Sequence, residues 1–355
     1  MLTSTKNPLV KEIRKLHRVK GRRQQDLFLL EGTHLLAEAC AVDYPLVTLC
    51  YTSEWLEAHP QLSQDASVRS QRVEVVSQSV LKAIATTVEP DGVVATATRL
   101  PLSPKPLNSL SLGLALETIQ DPGNLGTIIR TAVAAGAEGL WLSSDSVELD
   151  NPKVLRASVG QWFRLPMAVT PHLPTLVAQA QAQGIQVVAT VPDAKVSYWD
   201  IDWRCPSLIL LGNEAAGLRE DLVKTADQQV NIPLMPGVES LNVAIAAALM
   251  LYEAKRQRFL VKSPSTCSEP TVVFAKSGKE VTCDAEDVIL DVAEQEGVAL
   301  PSGCRMGACG ACKQKLLKGK VEYDEEPDAL EEDERKEGMI LTCVAHPVGQ
   351  VVVSA

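Results

Sequence analysis

Five short apolar runs, at residues 112–118, 139–143, 186–191, 207–211 and 229–234, alternate with helical stretches through the middle of the chain. Runs of this length read as strands, and strands alternating with helices imply a parallel sheet covered on both faces. Three of the runs lead into glycine-bearing loops. These are Asp121 to Thr131 (DPGNLGTIIRT), Leu211 to Leu218 (LGNEAAGL) and Ile232 to Val243 (IPLMPGVESLNV). Open parallel sheets bind ligands at the carboxyl ends of their strands. Glycines there let main-chain groups come close to a ligand. The middle of the chain is therefore expected to be an α/β domain with a binding rim.

Two Pro/Ser-rich stretches, 100–109 and 262–270, can continue neither a helix nor a central strand and read as linkers. They divide the 355 residues into segments at 1–100, 110–261 and 270–355. The first opens on a basic amphipathic helix, followed by strand-like runs at 27–30, 46–51, 73–76 and 93–97. The last starts with a strand-like run at 271–275. No apolar stretch at the start suits a secretory signal. The longest apolar run, 243–251, is too short to cross a bilayer and reads as a buried helix. A cytoplasmic protein with no membrane association is expected.

Net charge is −10, which argues against a nucleic-acid partner until its distribution is considered. Residues 271–355 hold 9 Lys and Arg against 17 Asp and Glu, so most of the acidity lies in the tail. Between Lys6 and Arg23 stand Lys11, Arg14, Lys15, Arg18, Lys20 and Arg22, opposed only by Glu12. A second basic cluster, Lys255, Arg256, Arg258 and Lys262, closes the middle segment. Such asymmetry points to modules with different partners, although solvated helix faces give the same pattern.

Nine cysteines without an export signal should mostly be thiols or metal ligands. Cys40, Cys50, Cys205, Cys267 and Cys283 are scattered, and Cys267 and Cys283 read as structural. Cys304, Cys309 and Cys312 have the spacing C-x4-C-x2-C, and Cys343 follows at a distance. That is the ligand pattern of a plant-type [2Fe–2S] centre. Four thiolates also suit tetrahedral zinc, which stays open as an alternative. Gly303, Gly307, Ala308, Gly310 and Ala311 are small enough for main-chain N–H groups to approach the sulfurs and tune a cluster.

Taken in order, the three glycine-bearing loops resemble the three motifs of the SpoU/TrmH branch of the SPOUT RNA methyltransferases, over most of 111–260. Pro152 to Gly160 (PKVLRASVG) also fits that family. Residues 1–100 resemble its RNA substrate-binding domain through Lys6 to Lys11 (KNPLVK) and Phe28 to Gly32 (FLLEG). Residues 271–355 resemble a plant-type ferredoxin, including Gly338 to Cys343 (GMILTC) and a closing strand at 351–353.

The resemblance implies an N-terminal α/β RNA-binding domain, a parallel sheet threaded into a trefoil knot, and a C-terminal α+β β-grasp domain. It implies S-adenosylmethionine held by main-chain groups of Gly212, Ile232 and Leu241, with Thr190 as an addition. It further implies a homodimer through the methyltransferase domain, with each active site completed across the interface. The activity implied is methylation of a ribose 2′-hydroxyl in RNA, ribosomal RNA ahead of tRNA. Cys304, Cys309, Cys312 and Cys343 would hold a [2Fe–2S] cluster for electron transfer or redox sensing, with a redox partner. The alternative is an iron–sulfur electron-transfer protein that uses an inactive methyltransferase-like domain for RNA docking or dimerisation.

A ribose hydroxyl is a weak nucleophile and must lose its proton as it attacks, while positioning in line with the methyl does most of the work. By the same resemblance Arg130 helps deprotonate that hydroxyl. An arginine is normally always charged. Its role is therefore read first as a clamp on phosphate and oxyanion, and second as a base. Asn124, Glu214, Ser240 and Asn242 would orient the ribose, Arg130 and the cofactor loops. No metal is needed for this step.

Overall fold

The computed structural model describes residues 1–100, 104–260, 270–284, 286–324 and 326–355. Parts of both expected linkers, with Lys262 and Cys267, lie outside the described residues. The chain forms two compact units, Met1–Phe259 and Leu260–Ala355.

The first unit opens with α1 (Pro8–Lys15) and α2 (Val19–Gln25). Asn7 starts α1 by accepting the Leu9 N–H at 2.9 Å, and Pro8 sits in the first turn, where its missing N–H costs nothing. Strand β1 (Leu27–Glu31) is followed by α3 (Thr33–Ala41), β2 (Leu46–Tyr51), α4 (Ser53–Ala58), α5 (Pro60–Val68), β3 (Ser70–Val75), α6 (Gln78–Ile84) and β4 (Val93–Thr98). The sheet order is β1-β4-β2-β3. Strand β3 runs parallel to β2, while the other pairings are antiparallel. It begins at Ser70, earlier than the apolar pattern suggested, because an edge strand can be polar in its first half.

The middle of the chain gives β5 (Leu112–Leu116), α7 (Pro122–Ala135), β6 (Gly139–Ser143), α8 (Pro152–Ala157), β7 (Met167–Thr170), α9 (Leu173–Ala182), β8 (Gln186–Thr190), β9 (Val196–Ser197), β10 (Ser207–Leu211), α10 (Glu220–Thr225), β11 (Gln228–Asn231) and α11 (Val243–Leu260). Its strands pair in the order β7-β6-β5-β10-β8-β11-β9, and every pairing is parallel. The central strands β5 and β10 are buried throughout, as their unbroken apolar runs require. The edge strands β7 and β9 were not anticipated, being only four and two residues long. Strand β11 stops at Asn231, short of the expected 234, since Pro233 has no N–H for the ladder.

Helix α11 corrects one expectation. Val243, Ala247, Met250, Leu251 and Ala254 are buried, but Ile245, Tyr252 and Phe259 stand 50%, 50% and 84% exposed. Only one flank of this helix joins the core.

Within the unit, the FLLEG and PKVLRASVG motifs meet. Glu31, 6% exposed, accepts hydrogen bonds from Thr86 and Thr87 and pairs with Arg156 of α8 at 3.3 Å. Phe28 packs on Trp162 with ring centroids 5.2 Å apart. Arg22, counted above as part of a basic face, is instead buried and pairs with Glu148 at 2.5 Å and Asp150 at 3.2 Å. Asp150 also meets Arg99 at 2.8 Å. Buried charges are tolerated only when paired in this way.

The second unit holds β12 (Thr271–Phe274), β13 (Lys279–Thr282), α12 (Ile289–Gln295), β14 (Lys313–Glu322), α13 (Glu332–Lys336), β15 (Met339–Leu341) and β16 (His346–Val353). The sheet order is β13-β12-β16-β14-β15, with β12 parallel to β16. Helix α12 packs Ile289, Val292 and Ala293 against Val272, Phe274, Val351 and Val353.

Candidate functional site

The carboxyl rim of the seven-stranded sheet carries a cavity of about 330 Å³. Thr190 at the end of β8, Gly212 after β10, and Ile232, Ser240 and Leu241 between β11 and α11 all line it. Its floor is apolar, from Leu211, Val230 and Val243. Gly212 has to be glycine, because a Cβ there would stand 2.1 Å from the Gly217 carbonyl carbon. The loop from Asn213 to Gly217 folds back through reciprocal main-chain bonds of 3.0 and 2.9 Å, and Asn213 Oδ1 accepts from Ala215 and Ala216. Thr190 is tied down by its hydroxyl, which donates to the Leu210 carbonyl at 2.6 Å.

A polar cleft of about 540 Å³ adjoins this cavity and shares Glu214, Ser240, Leu241 and Val243 with it. Gln120, Asp121, Asn124 and Asn242 complete its lining. A chain of side-chain bonds runs along the cleft. Asn242 Nδ2 donates to Asn124 Oδ1 at 2.9 Å, and Asn124 Nδ2 donates to Glu214 Oε1 at 3.0 Å. Asn242 Oδ1 accepts the Ala244 and Ile245 N–H groups and so caps α11. At the other end, Asp121 caps α7 by accepting the Asn124 N–H at 2.8 Å. Burial pushes the Glu214 carboxyl up. Hydrogen bonds from Asn124 and from its own, the Asp121 and the Gln120 N–H groups outweigh that effect and hold it below its ordinary value. Glu214 is thus a fixed anion and braces the two loops.

Thr118, at the end of β5, was not singled out from the sequence. It has a left-handed φ of 54°, which a β-branched residue adopts only under constraint. Ser143 accepts its N–H, Asp145 accepts its hydroxyl, and its carbonyl accepts from Asn213. No local pattern marks such a residue, since its role arises where three strand ends converge.

Asn124, Glu214, Ser240 and Asn242 are therefore brought together beside Thr190, Gly212, Ile232 and Leu241. Arg130 is not among them. It is exposed on α7, lines neither hollow, and has no hydrogen-bond or ion-pair partner among the described residues. In the second basic cluster Lys255 and Arg256 are exposed, while Arg258 turns inward. Arg258, whose pKa burial lowers, donates to the carbonyls of Trp203, Ser111 and Cys205. Lys255 donates to the Ala134 carbonyl, and Arg256 pairs with Glu253. These side chains fasten α11 or are spent on neighbours.

In the second unit the cysteine loop lies between α12 and β14. The Cys304 N–H points at Cys309 Sγ (3.3 Å) and the Met306 N–H at Cys304 Sγ (3.4 Å). Cys312 and Cys343 bring their sulfurs within 3.1 Å. Hydrogen bonds from the Met306 N–H, the Cys309 side chain and the Ala308 N–H lower the Cys304 thiol to about 7. No three His, Cys, Asp or Glu side chains among the described residues stand together as a metal-holding group. The donor chemistry still fits an iron–sulfur cluster: four thiols, main-chain N–H groups turned to sulfur, and Gly303, where a Cβ would lie 2.9 Å from Cys309 Sγ.

A parallel sheet with a cavity and a polar cleft at its carboxyl rim defines an α/β domain with its ligand-binding site at the usual edge. Residues 111–252 match the SpoU rRNA methylase family, residues 7–95 the MRM3-like substrate-binding domain, and residues 273–348 the 2Fe-2S iron-sulfur cluster binding domain. An uncharacterized tRNA/rRNA methyltransferase of Synechocystis sp. is 47% identical over 74% of this chain and 96% of its own length. A 23S rRNA guanosine 2′-O-methyltransferase of Bacillus subtilis is 32% identical over 72% of this chain and 98% of its own. The crystal structure of an AdoMet-bound rRNA methyltransferase from Sinorhizobium meliloti superposes with a TM-score of 0.64 and 34% identity, covering 72% of this chain and 97% of that one. The chain belongs to the SpoU rRNA methylase family of RNA methyltransferases.

Proposed function

We propose that the protein methylates a ribose 2′-hydroxyl in ribosomal RNA, with S-adenosylmethionine as donor. The observation that carries this reading is the pairing of the glycine-walled cavity with the amide-lined cleft across Glu214, Ser240 and Leu241. The Bacillus subtilis relative, named for ribose methylation of 23S rRNA, supports it. When bound, the donor supplies an electrophilic methyl on a sulfonium. Main-chain groups of Gly212, Ile232 and Leu241, with Thr190, grip it. Asn124 and Asn242 each keep an amide N–H beyond the one used in the chain to Glu214, and these donors orient the ribose oxygens. Arg130 clamps the adjacent phosphate and stabilises the oxyanion as the hydroxyl loses its proton.

Because Arg130 lines neither hollow of its own chain, the reading includes a homodimer in which a second copy supplies it. The exposed apolar stripe of Ile245, Tyr252 and Phe259 is the face that copy covers. The segments 1–100, 110–261 and 270–355 act as RNA-binding, methyltransferase and ferredoxin-type domains, the middle one with its chain knotted around the cofactor loops. Cys304, Cys309, Cys312 and Cys343 hold a [2Fe–2S] cluster for electron transfer or redox sensing, and the protein works in the cytoplasm.

Transfer of labelled methyl to ribosomal RNA, followed by nucleoside digestion, tests the reading. The expected product is a 2′-O-methylated nucleoside that protects its phosphodiester from alkali. Label on a base would replace the acceptor. No transfer to any RNA would favour the electron-transfer alternative.

A further inference from the structure

The loop at 143–147, after β6, lines neither the cavity nor the cleft. It nevertheless carries a carboxylate aimed at the end of β5. Asp145 Oδ2 accepts the Thr118 hydroxyl at 2.7 Å, and Ser143 Oγ accepts the Thr118 N–H at 2.7 Å. Ser146 Oγ accepts the Ile119 N–H at 3.0 Å, and the Asp145 carbonyl accepts the Gln120 side-chain amide at 2.8 Å. Hydrogen bonds from Ser143 and Thr118 hold the Asp145 carboxyl below its ordinary value, which keeps it an acceptor.

With its N–H and hydroxyl both fixed, Thr118 keeps a φ of 54°, and its carbonyl accepts Asn213 Nδ2 at 2.8 Å. A φ in the ordinary negative range would turn that carbonyl by more than about 100° about the N–Cα bond, away from Asn213. Asn213 opens the loop that walls the cavity. Its amide also donates to Glu214 Oε2 at 3.4 Å, and its Oδ1 takes the Ala215 and Ala216 N–H groups. The far end of this loop is held by the residue before Thr118. Glu117, 3% exposed, accepts the Arg219 N–H at 2.8 Å and pairs with its guanidinium at 2.5 Å. Two successive residues thus pin both ends of the 213–219 loop, Glu117 by a buried charge and Thr118 by a strained backbone. Strain of that kind persists only where the surroundings enforce it.

We propose that Thr118 and Asp145 are a positioning pair for the S-adenosylmethionine site. The Asp145 carboxylate keeps Thr118 left-handed, and Thr118 in that conformation sets the 213–217 loop against the cofactor. Neither residue lines the cavity, so both act through Asn213. The inference rests on the methyltransferase reading above.

Calorimetric titration of the full chain with S-adenosylmethionine tests it, with the melting temperature of each variant as a check on folding. Asp145→Ala removes the acceptor, and Thr118→Val removes the hydroxyl while keeping the branched side chain. Each should raise the Kd for S-adenosylmethionine by about 10-fold or more, the scale of strain that a left-handed branched residue stores. The loss should fall on affinity more than on kcat at saturating cofactor, measured by methyl transfer to ribosomal RNA. The deciding variant is Thr118→Gly/Asp145→Ala. Glycine takes a positive φ unaided, so this double variant should regain most of the affinity that Asp145→Ala loses. Were Asp145 only a surface brace, the glycine would add a loss of its own. A double variant that binds no better than Asp145→Ala therefore overturns the proposal. Wild-type affinity in both single variants, or a fall in kcat with affinity intact, also overturns it. A wild-type chain that takes up no S-adenosylmethionine would remove the methyltransferase reading itself, and this inference with it.

Discussion

In the proposed reaction the charges of Arg130 and Glu214 have two different tasks. Glu214 is an anion anchored by four donors, so it sets geometry and does not exchange protons near neutrality. Its folded pKa lies below the unfolded value of about 4.3. Its contribution to stability is therefore whole above that value and drains as pH falls from there through the folded value. The difference in melting temperature between wild type and Glu214→Gln should stay constant from about pH 8 to about pH 5 and shrink on further acidification. A difference that grew in acid would show that the carboxylate is not held ionised. Arg130 is exposed on α7 and has no such anchor among the described residues, and its proposed role is to clamp phosphate. Arg130→Ala should lower kcat by about 100- to 1,000-fold, the usual effect of losing an oxyanion-stabilising group. Donor affinity, followed by calorimetric titration, should be unchanged. A proportional loss of donor binding would place Arg130 in the cofactor cavity instead.

Among the elements, the join between the first domain and α8 depends most on individual residues. Gly160→Ala would force a side chain into a left-handed turn and against Glu38, and should cost about 1–3 kcal/mol in a denaturant melt. Arg22→Ala would leave Asp150 to Arg99 alone and Glu148 to Arg23, and should cost up to about 3 kcal/mol. An unaltered midpoint for both variants would mean that the join carries no stability. The sequence showed the elements that announce themselves by pattern: the apolar strands, the glycine loops and the N-terminal helix were all legible. It did not show that Arg22 and Arg258 turn inward, because a cluster of like charges says nothing about the carboxylates and carbonyls that fold up against it. Nor could the apolar stretch at the start of α11 reveal that Ile245 faces outward, as an all-apolar stretch has no polar side to mark solvent.

For the molecule as a whole, the question is why an enzyme of this family should carry a second unit with an iron–sulfur pattern. Methyl transfer from a sulfonium to a hydroxyl moves an electron pair and a proton but changes no oxidation state, so the cleft needs no reductant. The four cysteines and the four site residues of the cleft were separate patterns in the sequence, and they fall in separate compact units. Cys309→Ser should therefore abolish the visible absorbance and the iron content of the purified chain. The same variant, assayed without any reductant, should transfer methyl groups to RNA at the wild-type rate. If that rate drops in step with iron content, the second unit governs the first, and its redox state becomes the variable to titrate. If the chain binds zinc in place of iron and shows no visible band, the cysteines form a structural site. The methyl-transfer assignment would stand in either case, because it draws only on residues before Phe259.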